Sequence, residues 1–146
     1  RRCKISKRIM DKIDPVRRSE NMRRIKATDT SPERTVRSIV RSLGHTGYRL
    51  HRKDLPGKPD MAWIGRKIAI FVHGCFWHAH DCPEGIRKPK SNKKYWLKKI
   101  ENNRQRDQRQ IRELKSRGWR ILVIWECELN NISKTKARLH KCLLRD

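Results

Sequence analysis

The sequence is poor in acidic residues: fifteen Asp and Glu stand against thirty-nine Lys and Arg, giving a formal net charge of +24. It has no run of 18 apolar residues, which excludes a membrane-spanning helix, and no recognisable signal peptide. No amphipathic segment joins a basic face to a long apolar one, so a membrane surface fits less well than a polyanion. Each neutralised phosphate releases counterions, and the excess of cations therefore predicts an intracellular, cytoplasmic protein that binds nucleic acid.

Cysteine is also sparse, and its placement argues against disulfides. The five cysteines are an odd number spread along the chain, at positions 3, 75, 82, 127 and 142. Such a set is a poor disulfide framework. Three of them, Cys75, Cys82 and Cys127, lie in or near a histidine-rich segment or at the end of a predicted strand. This placement suits metal ligation in a reducing compartment.

The hydrophobic pattern predicts one domain, 16–146, preceded by a basic arm, 1–15. Helices are predicted over residues 16–28, 31–44, 91–117 and 133–143. Strands are predicted over 47–51, 59–64, 66–74 and 119–127, the middle two forming a hairpin around Gly65. This order of elements indicates a mixed α/β sheet with helices against it.

The helix over 31–44 has the clearest boundaries. Ser31 is the expected N-cap, Pro32 suits the first helical position, and Gly44 ends the helix. Glu33 lies in the first turn, where complementing the helix dipole is a sufficient explanation for an acidic residue.

The segment FVHGCFWHAHDC, residues 71–82, carries the densest chemistry in the chain. Cys75, His80 and Cys82 offer three zinc ligands in a tight loop, and Cys127 is the natural fourth for a tetrahedral site. The alternative is that these are small buried residues and a solvated histidine. The compact spacing favours structural zinc.

Three further residues near this segment are candidates for catalysis. Asp60 opens a strand and could bind Mg²⁺, which usually keeps few protein ligands, although Pro-Asp turns are common without a metal. The predicted hairpin brings Asp60 close to residues 71–73. His73 and His78 remain once zinc takes His80, and either could deprotonate a water, orient a phosphate or serve as a structural hydrogen bonder.

The long helix over 91–117 has a carboxylate on its apolar face. Six residues step by three or four along this face: Trp96, Ile100, Asn103, Asp107, Ile111 and Leu114. A buried carboxylate is costly unless paired. Asp107 therefore requires a partner, either a histidine of the 71–82 segment or one of the many basic side chains.

Three aromatic residues are candidates for insertion between DNA bases. Phe76 and Trp77 are adjacent within the histidine-rich segment, which makes burial of both on one side awkward, and Trp96 belongs to a strongly basic helix. Apolar wedges of this kind unstack base steps and bend the duplex. Packing in the protein core is the alternative for each.

Five segments of the sequence together resemble a known family. The motifs SENMRRIKATDTSPE, LPGKPD, FVHGCFWHAHDC, YWLKKIENNRQRD and GWRILVIWEC are similar, in order, to those of the very short patch repair (Vsr) DNA mismatch endonucleases over about residues 17–127. The resemblance implies a variant of the PD-(D/E)xK restriction-endonuclease fold, a mixed sheet flanked by helices with a structural zinc site. It also implies a Mg²⁺-dependent enzyme that nicks DNA at T:G mismatches.

The resemblance further implies a role for individual residues. Asp60 and the backbone carbonyl of Val72 match the Mg²⁺ ligands, although threonine is expected at position 72. His78, paired with Asp107, matches the group that activates water, His73 matches a contact to the scissile phosphate, and Glu33 matches an outlying acid. The zinc ligands match Cys75, His80, Cys82 and Cys127; the intercalating aromatics match Phe76, Trp77 and Trp96; and positions near the mismatch match Met22, Lys99 and Asn103.

The implied substrate is double-stranded DNA with a T:G mismatch, nicked 5′ to the thymine during repair of deaminated 5-methylcytosine. A functional link to a cytosine-5 methyltransferase and to mismatch-repair proteins follows, and a monomer is the default expectation. Two alternatives stay open: a zinc-stabilised DNA-binding module without catalysis, and a related nickase for another lesion or sequence. Only the first would have no need of Asp60, His78 and Asp107 together.

Overall fold

The computed structural model describes residues 28–87 and 91–144. Its helices are α1 (Ser31–Ser42), α2 (Lys93–Ser116) and α3 (Ile132–Leu144), and its strands are β1 (Arg49–Leu50), β2 (Met61–Trp63), β3 (Ile68–His73) and β4 (Arg120–Trp125). A 3₁₀ helix, Glu126–Asn130, joins β4 to α3. The arm over 1–15 lies outside the described residues, as does nearly all of the helix over 16–28, so both stay predictions.

The four strands form one mixed sheet in the order β1-β2-β3-β4. The predicted hairpin is confirmed, since β2 and β3 pair antiparallel with Met61 opposite Ile70. β3 and β4 pair in parallel, and α2 forms the crossover between them that parallel strands require. β1 is shorter than predicted because Gly47 and His51 have positive φ angles of 79° and 48°, which an extended strand does not accept.

The sheet is covered by helices on both faces. On one face, α1 and α3 bury the larger core, which contains Val36, Ile39, Val40, Met61, Trp63, Ile68, Ile70, Ile124, Leu139 and Leu143. On the other face, α2 contributes Leu114 to a smaller core with Ala69 and Phe71. No helix in the described part of the chain combines the length and apolar character of a membrane span. The chain therefore has the predicted mixed α/β architecture.

Helix α1 starts one residue earlier than predicted. Thr30, not Ser31, is the N-cap: its backbone is extended, and its hydroxyl accepts a hydrogen bond from the backbone N–H of Glu33 at 3.4 Å. Both residues have a hydroxyl, so the sequence did not distinguish them. The end at Gly44 is confirmed, because this residue adopts a φ of 81° and the next N–H, that of His45, bonds back to Val40.

Helix α2 presents the predicted stripe to the protein. Ile100 and Leu114 are buried, and Asp107 is half-buried between them. Strand β4 is only partly buried, with Ile124 alone fully enclosed, because it lies at the edge of the sheet.

Candidate active site and metal centre

The carboxyl end of β3 opens on a cavity of about 650 Å³ between α1 and α2. The five predicted catalytic residues, Glu33, Asp60, His73, His78 and Asp107, all contribute to its lining. The structure thus brings together side chains from α1, from the start of β2, from β3, from the loop that follows β3 and from α2.

Asp60 lies where the chain enters β2, within reach of the neighbouring strand. Its Oδ2 accepts a hydrogen bond of 2.6 Å from the backbone N–H of Val72. Burial is the main reason that the pKa of Asp60 is raised to about 7, and the charge of Glu33 contributes to the rise, whereas the hydrogen bond from Val72 lowers the pKa. The closeness of Asp60 to the 71–73 region, predicted from the hairpin, is confirmed.

Glu33 faces the same cavity from the first turn of α1. Its side chain is only 6% exposed, and one carboxylate oxygen accepts a hydrogen bond of 2.8 Å from the backbone N–H of Asp29. The imidazole of His51 lies between the two acids: its Nε2 is 3.5 Å from Glu33 Oε2, and its Nδ1 is 3.9 Å from Asp60 Oδ1. His51 carries no signal in the sequence, since a lone histidine at a strand end belongs to no motif.

The partner that Asp107 requires is His78. The Nδ1 of His78 hydrogen-bonds to Asp107 Oδ2 across the interface between the histidine-rich loop and α2. Both side chains are largely buried, at 20% and 15% exposed. The alternative of a basic partner for Asp107 is therefore not what the structure shows. This hydrogen bond orients the His78 ring and determines the tautomer, because the proton lies on Nδ1, the nitrogen that faces the carboxylate.

His73, the last residue of β3, stacks on His78. The ring centroids are 4.0 Å apart and the planes differ by 3°. Burial lowers the pKa of His73 to about 4, and the adjacent His78 lowers it as well. Its Nδ1 is buried and has no hydrogen-bond partner among the described residues. A buried polar atom of this kind is uncommon and marks a candidate contact for a ligand.

Four side chains form a second cluster behind the catalytic residues. One ligand atom from each of Cys75, His80, Cys82 and Cys127 lies within 4.8 Å of all the others. In a tetrahedral zinc site with bonds near 2.3 Å, any two ligand atoms are about 3.8 Å apart. The four ligand atoms are therefore close enough together to bind one zinc ion. Cys127 lies just past β4, in the 3₁₀ helix rather than at the end of the strand as predicted.

The environment of the sulfurs also suits metal binding. The backbone N–H of Gly85 donates to Cys82 Sγ, and that of Cys127 donates to Cys75 Sγ, both at 3.4 Å. Burial opposes ionisation of Cys82, but hydrogen bonds from His80 and Gly85 outweigh it and lower its pKa to about 7. Burial raises the pKa of Cys75 to about 12. A cation within the cluster would stabilise both thiolates.

The candidate wedge residues form one aromatic cluster next to the cavity. Phe76 packs edge-on against Trp77, and Trp77 against Trp96 of α2, with centroid distances of 5.2 and 5.6 Å. All three side chains are half-buried, so they are neither core residues nor fully exposed ones. Two residues that the sequence analysis missed extend the cluster: Tyr95 is 57% exposed, and Arg87 lies 5.6 Å from the Phe76 ring.

Of the three residues expected near the mismatch, two are described. The Lys99 ammonium lies 5.3 Å from the Trp96 ring and 5.9 Å from the Trp77 ring, at the centre of the aromatic cluster. Asn103 donates from its side chain to the backbone carbonyl of Trp77 at 3.3 Å and so ties the loop to α2. Met22 lies outside the described residues.

Comparison with known proteins identifies relatives over most of the chain. The sequence profile of the DNA mismatch endonuclease Vsr family matches residues 10–84. The type II nicking enzyme V.XorIIP of Xanthomonas oryzae is 47% identical over 133 residues, which covers 91% of this chain and 96% of that protein. The DNA mismatch endonuclease Vsr of Escherichia coli is 40% identical over 124 residues, covering 85% of this chain and 78% of that protein.

A solved structure is similar as well. The catalytic domain of the homing endonuclease I-Bth0305I superposes with a TM-score of 0.55 and 28% identity, covering 79% of this chain and 95% of that domain. The cavity and the paired side chains described above thus occur on a fold shared with a nuclease domain.

Proposed function

Because the chain belongs to the Vsr family of DNA mismatch endonucleases, we propose that it nicks double-stranded DNA 5′ to the thymine of a T:G mismatch. The fold would then be a variant of the PD-(D/E)xK core, with Pro59 and Asp60 supplying the first half of that motif. The observation that carries the proposal is the convergence of Asp60 and the His78–Asp107 pair on one cavity. A DNA-binding module without catalysis has no need of this arrangement.

His78 is the proposed general base. With Nδ1 directed at Asp107, the other ring nitrogen, Nε2, accepts a proton from the attacking water, and the carboxylate stabilises the imidazolium that forms. The water oxygen attacks phosphorus as the bond to the 3′ oxygen breaks; the 3′ oxygen takes a proton from solvent water, so that the products are a 3′-hydroxyl and a 5′-phosphate. His73, with a pKa of about 4, is neutral at pH 7 and contacts the scissile phosphate as an N–H donor rather than as a charge.

Asp60 and the backbone carbonyl of Val72 are the proposed ligands of Mg²⁺. The N–H of Val72 points at Asp60, and in an extended strand the carbonyl of the same residue points to the same side. Two oxygen ligands with room for water and phosphate suit Mg²⁺. Such an ion would stabilise negative charge on the phosphate and on the leaving oxygen. Glu33 lies beside this pair as the outlying acid.

The cysteine and histidine cluster is the proposed structural zinc site. Its four ligands come from the 71–82 segment and from the end of β4, so an ion there would clamp the loop that carries His78 and the aromatic residues. Four protein ligands leave no open position for a substrate. The ion would therefore hold the loop in shape and take no part in hydrolysis.

The aromatic cluster and the charge of α2 are the proposed DNA-binding surface. Phe76, Trp77 and Trp96 would insert at the mismatch, where pairing is weakest, and Lys99, Asn103 and Met22 would lie near the mismatched bases. Residues 87–120, which include α2, hold fourteen basic and three acidic residues, and this charge suits the phosphate backbone.

The cellular role follows from the proposed substrate. Deamination of 5-methylcytosine produces T:G mismatches, so the protein would act beside a cytosine-5 methyltransferase and deliver nicked DNA to mismatch-repair proteins. We propose a cytoplasmic monomer with one domain, 16–146, and a basic arm, 1–15, that adds to DNA affinity.

A second candidate function is favoured by the names of the relatives. The protein from Xanthomonas oryzae, and another from Neisseria meningitidis that is 40% identical, are called type II nicking enzymes. The chain would then nick in a sequence context set by a companion methyltransferase. A panel of duplexes with and without the mismatch, in varied flanking sequences, separates the two: cutting of fully matched DNA supports the second candidate.

The proposed function is tested by nicking of a labelled T:G duplex with and without Mg²⁺. We expect wild type to nick only with the metal and Asp60→Ala to be inactive. Asp54→Ala is the matched control, because this nearby carboxylate is 59% exposed and pairs with Arg52 outside the catalytic group. Uncut duplex with wild type under all conditions, despite tight binding, would leave a DNA-binding module as the better description.

A further inference from the structure

Glu33, His51 and Asp60 form a group of potential metal ligands that the proposed mechanism uses only in part. One ligand atom from each lies within 4.8 Å of the others, on the wall of the cavity. We propose that His51 joins Asp60 and Glu33 in a mixed nitrogen and oxygen site that binds Mn²⁺ in preference to Mg²⁺. The inference rests on the proposed role of Asp60 as a metal ligand and adds the ion for which the site is selective.

The distances around His51 suit a shared cation better than direct hydrogen bonds. The gaps of 3.5 Å to Glu33 and 3.9 Å to Asp60 exceed the roughly 2.7–3.2 Å of an N–H···O bond. Two ligands of one octahedral ion with bonds near 2.1 Å are about 3.0 Å apart when adjacent and about 4.2 Å when opposite. An imidazole binds one ion through one nitrogen, and the 3.5 Å gap from His51 Nε2 to Glu33 falls in that interval, while one ligand atom from each of the three residues lies within 4.8 Å of the others.

The charge at this position also calls for a cation. Glu33 and Asp60 have side chains only 6% and 17% exposed, and two neighbouring buried carboxylates repel each other when both are ionised, a repulsion that a shared proton or a cation relieves. Arg37, the basic residue that acts on Asp60 from α1, is itself paired with Asp29. A divalent ion held by both acids would remove the repulsion.

The identity of the ligands determines the preferred ion. Carboxylate and water ligands suit both Mg²⁺ and Mn²⁺, but Mn²⁺ is a first-row transition ion and also accepts an imidazole nitrogen, whereas Mg²⁺ takes oxygen ligands. His51 also holds a left-handed φ of 48°, which is uncommon for any residue but glycine and turns its side chain out of the β1 ladder toward the acids. One histidine thus converts a carboxylate site into a mixed one.

The test is electron paramagnetic resonance of Mn²⁺ bound to the zinc-loaded, full-length protein without DNA. We expect wild type to bind Mn²⁺ about tenfold more tightly than Mg²⁺, measured by displacement of bound Mn²⁺. Pulsed spectra should show ¹⁴N coupling to the ion. His51→Gln should lose this coupling and bind Mn²⁺ roughly tenfold more weakly while keeping its affinity for Mg²⁺. His140→Gln, an exposed histidine on α3, is the matched control and should behave as wild type.

Several outcomes would overturn the inference. They are absence of ¹⁴N coupling in wild type, coupling that persists in His51→Gln, and Mn²⁺ binding that survives Asp60→Asn. These measurements use no DNA, so they are distinguishable from failure of the proposed function. Tight Mn²⁺ binding with nitrogen coupling in a protein that leaves every duplex uncut would support the metal site and refute the nuclease proposal.

Discussion

Replacing Asp60 with asparagine should make the metal-free protein more stable while removing its activity. The buried carboxylate has a pKa of about 7 because burial and the adjacent Glu33 disfavour its charge. Above that pH the folded protein must hold two neighbouring anions. Asparagine removes one charge and keeps an oxygen that accepts the hydrogen bond from Val72.

The magnitude and its pH dependence follow from the shift. The pKa of Asp60 rises from the ordinary value of 3.8 to about 7. At 1.36 kcal/mol per pKa unit, this shift corresponds to a loss of roughly 4 kcal/mol in the stability of the folded protein with the carboxylate ionised. Some hydration of the amide is also lost on burial, so we expect a gain of about 2–4 kcal/mol at pH 8. Between pH 3.8 and 7 the folded state binds more protons at Asp60 than the unfolded state does, so wild-type stability falls as the pH rises through this window. The advantage of the variant should therefore be less than half as large at pH 5.

Thermal unfolding in a buffer free of Mg²⁺ measures this effect. For a chain of this size the gain corresponds to a melting temperature raised by about 5–10 °C at pH 8. Asp54→Asn is the control with the opposite sign, because the hydrogen bond from Arg52 lowers the pKa of Asp54 and its charge is favourable. An Asp60→Asn protein no more stable than wild type at pH 8 would refute the inference that burial and Glu33 disfavour the charge of Asp60.

The remaining predictions concern the His78–Asp107 pair, the aromatic cluster and the zinc site. Asp107→Asn should lower kcat by about 10²–10⁴-fold with little change in KM, because it removes the group that orients the general base; an equal change in KM would indicate a role in binding. Trp77→Ala should weaken binding to a T:G duplex by about 1–3 kcal/mol in fluorescence anisotropy, with a smaller effect on a matched duplex; equal losses on both would contradict insertion at the mismatch. Cys127→Ser should release zinc in a metal assay and lower the free energy of unfolding by more than about 3 kcal/mol, whereas a stable zinc-free protein would count against a structural ion.

Much of the site was predictable because its residues depart from simple patterns. Asp107 interrupts an apolar stripe at helical spacing, so the sequence alone required a buried partner, and the structure identifies it as His78. The hairpin predicted the approach of Asp60 to Val72 through strand pairing, a local property of the chain. The four candidate zinc ligands likewise come together as their spacing predicted.

Other features depend on tertiary contacts that no local pattern encodes. His51 faces Glu33 and Asp60 because its own left-handed backbone ends β1 and because α1 brings Glu33 beside it. These residues are far apart in the sequence, and no motif predicts their contact. The stacking of His73 on His78 likewise depends on how the loop after β3 folds back. The start of α1 differed by one residue because two adjacent hydroxyls could each cap the helix.

The most direct measurement is the position of the nick in a duplex that carries a single T:G mismatch. Each strand is labelled in turn, and the products formed with Mg²⁺ are compared with those formed in its absence and with those from the matched duplex. We expect one Mg²⁺-dependent cut immediately 5′ to the mismatched thymine, a 5′-phosphate on the product and an intact complementary strand. Cutting at a position independent of the mismatch, or no cutting by a protein that binds the duplex tightly, would contradict the proposed function.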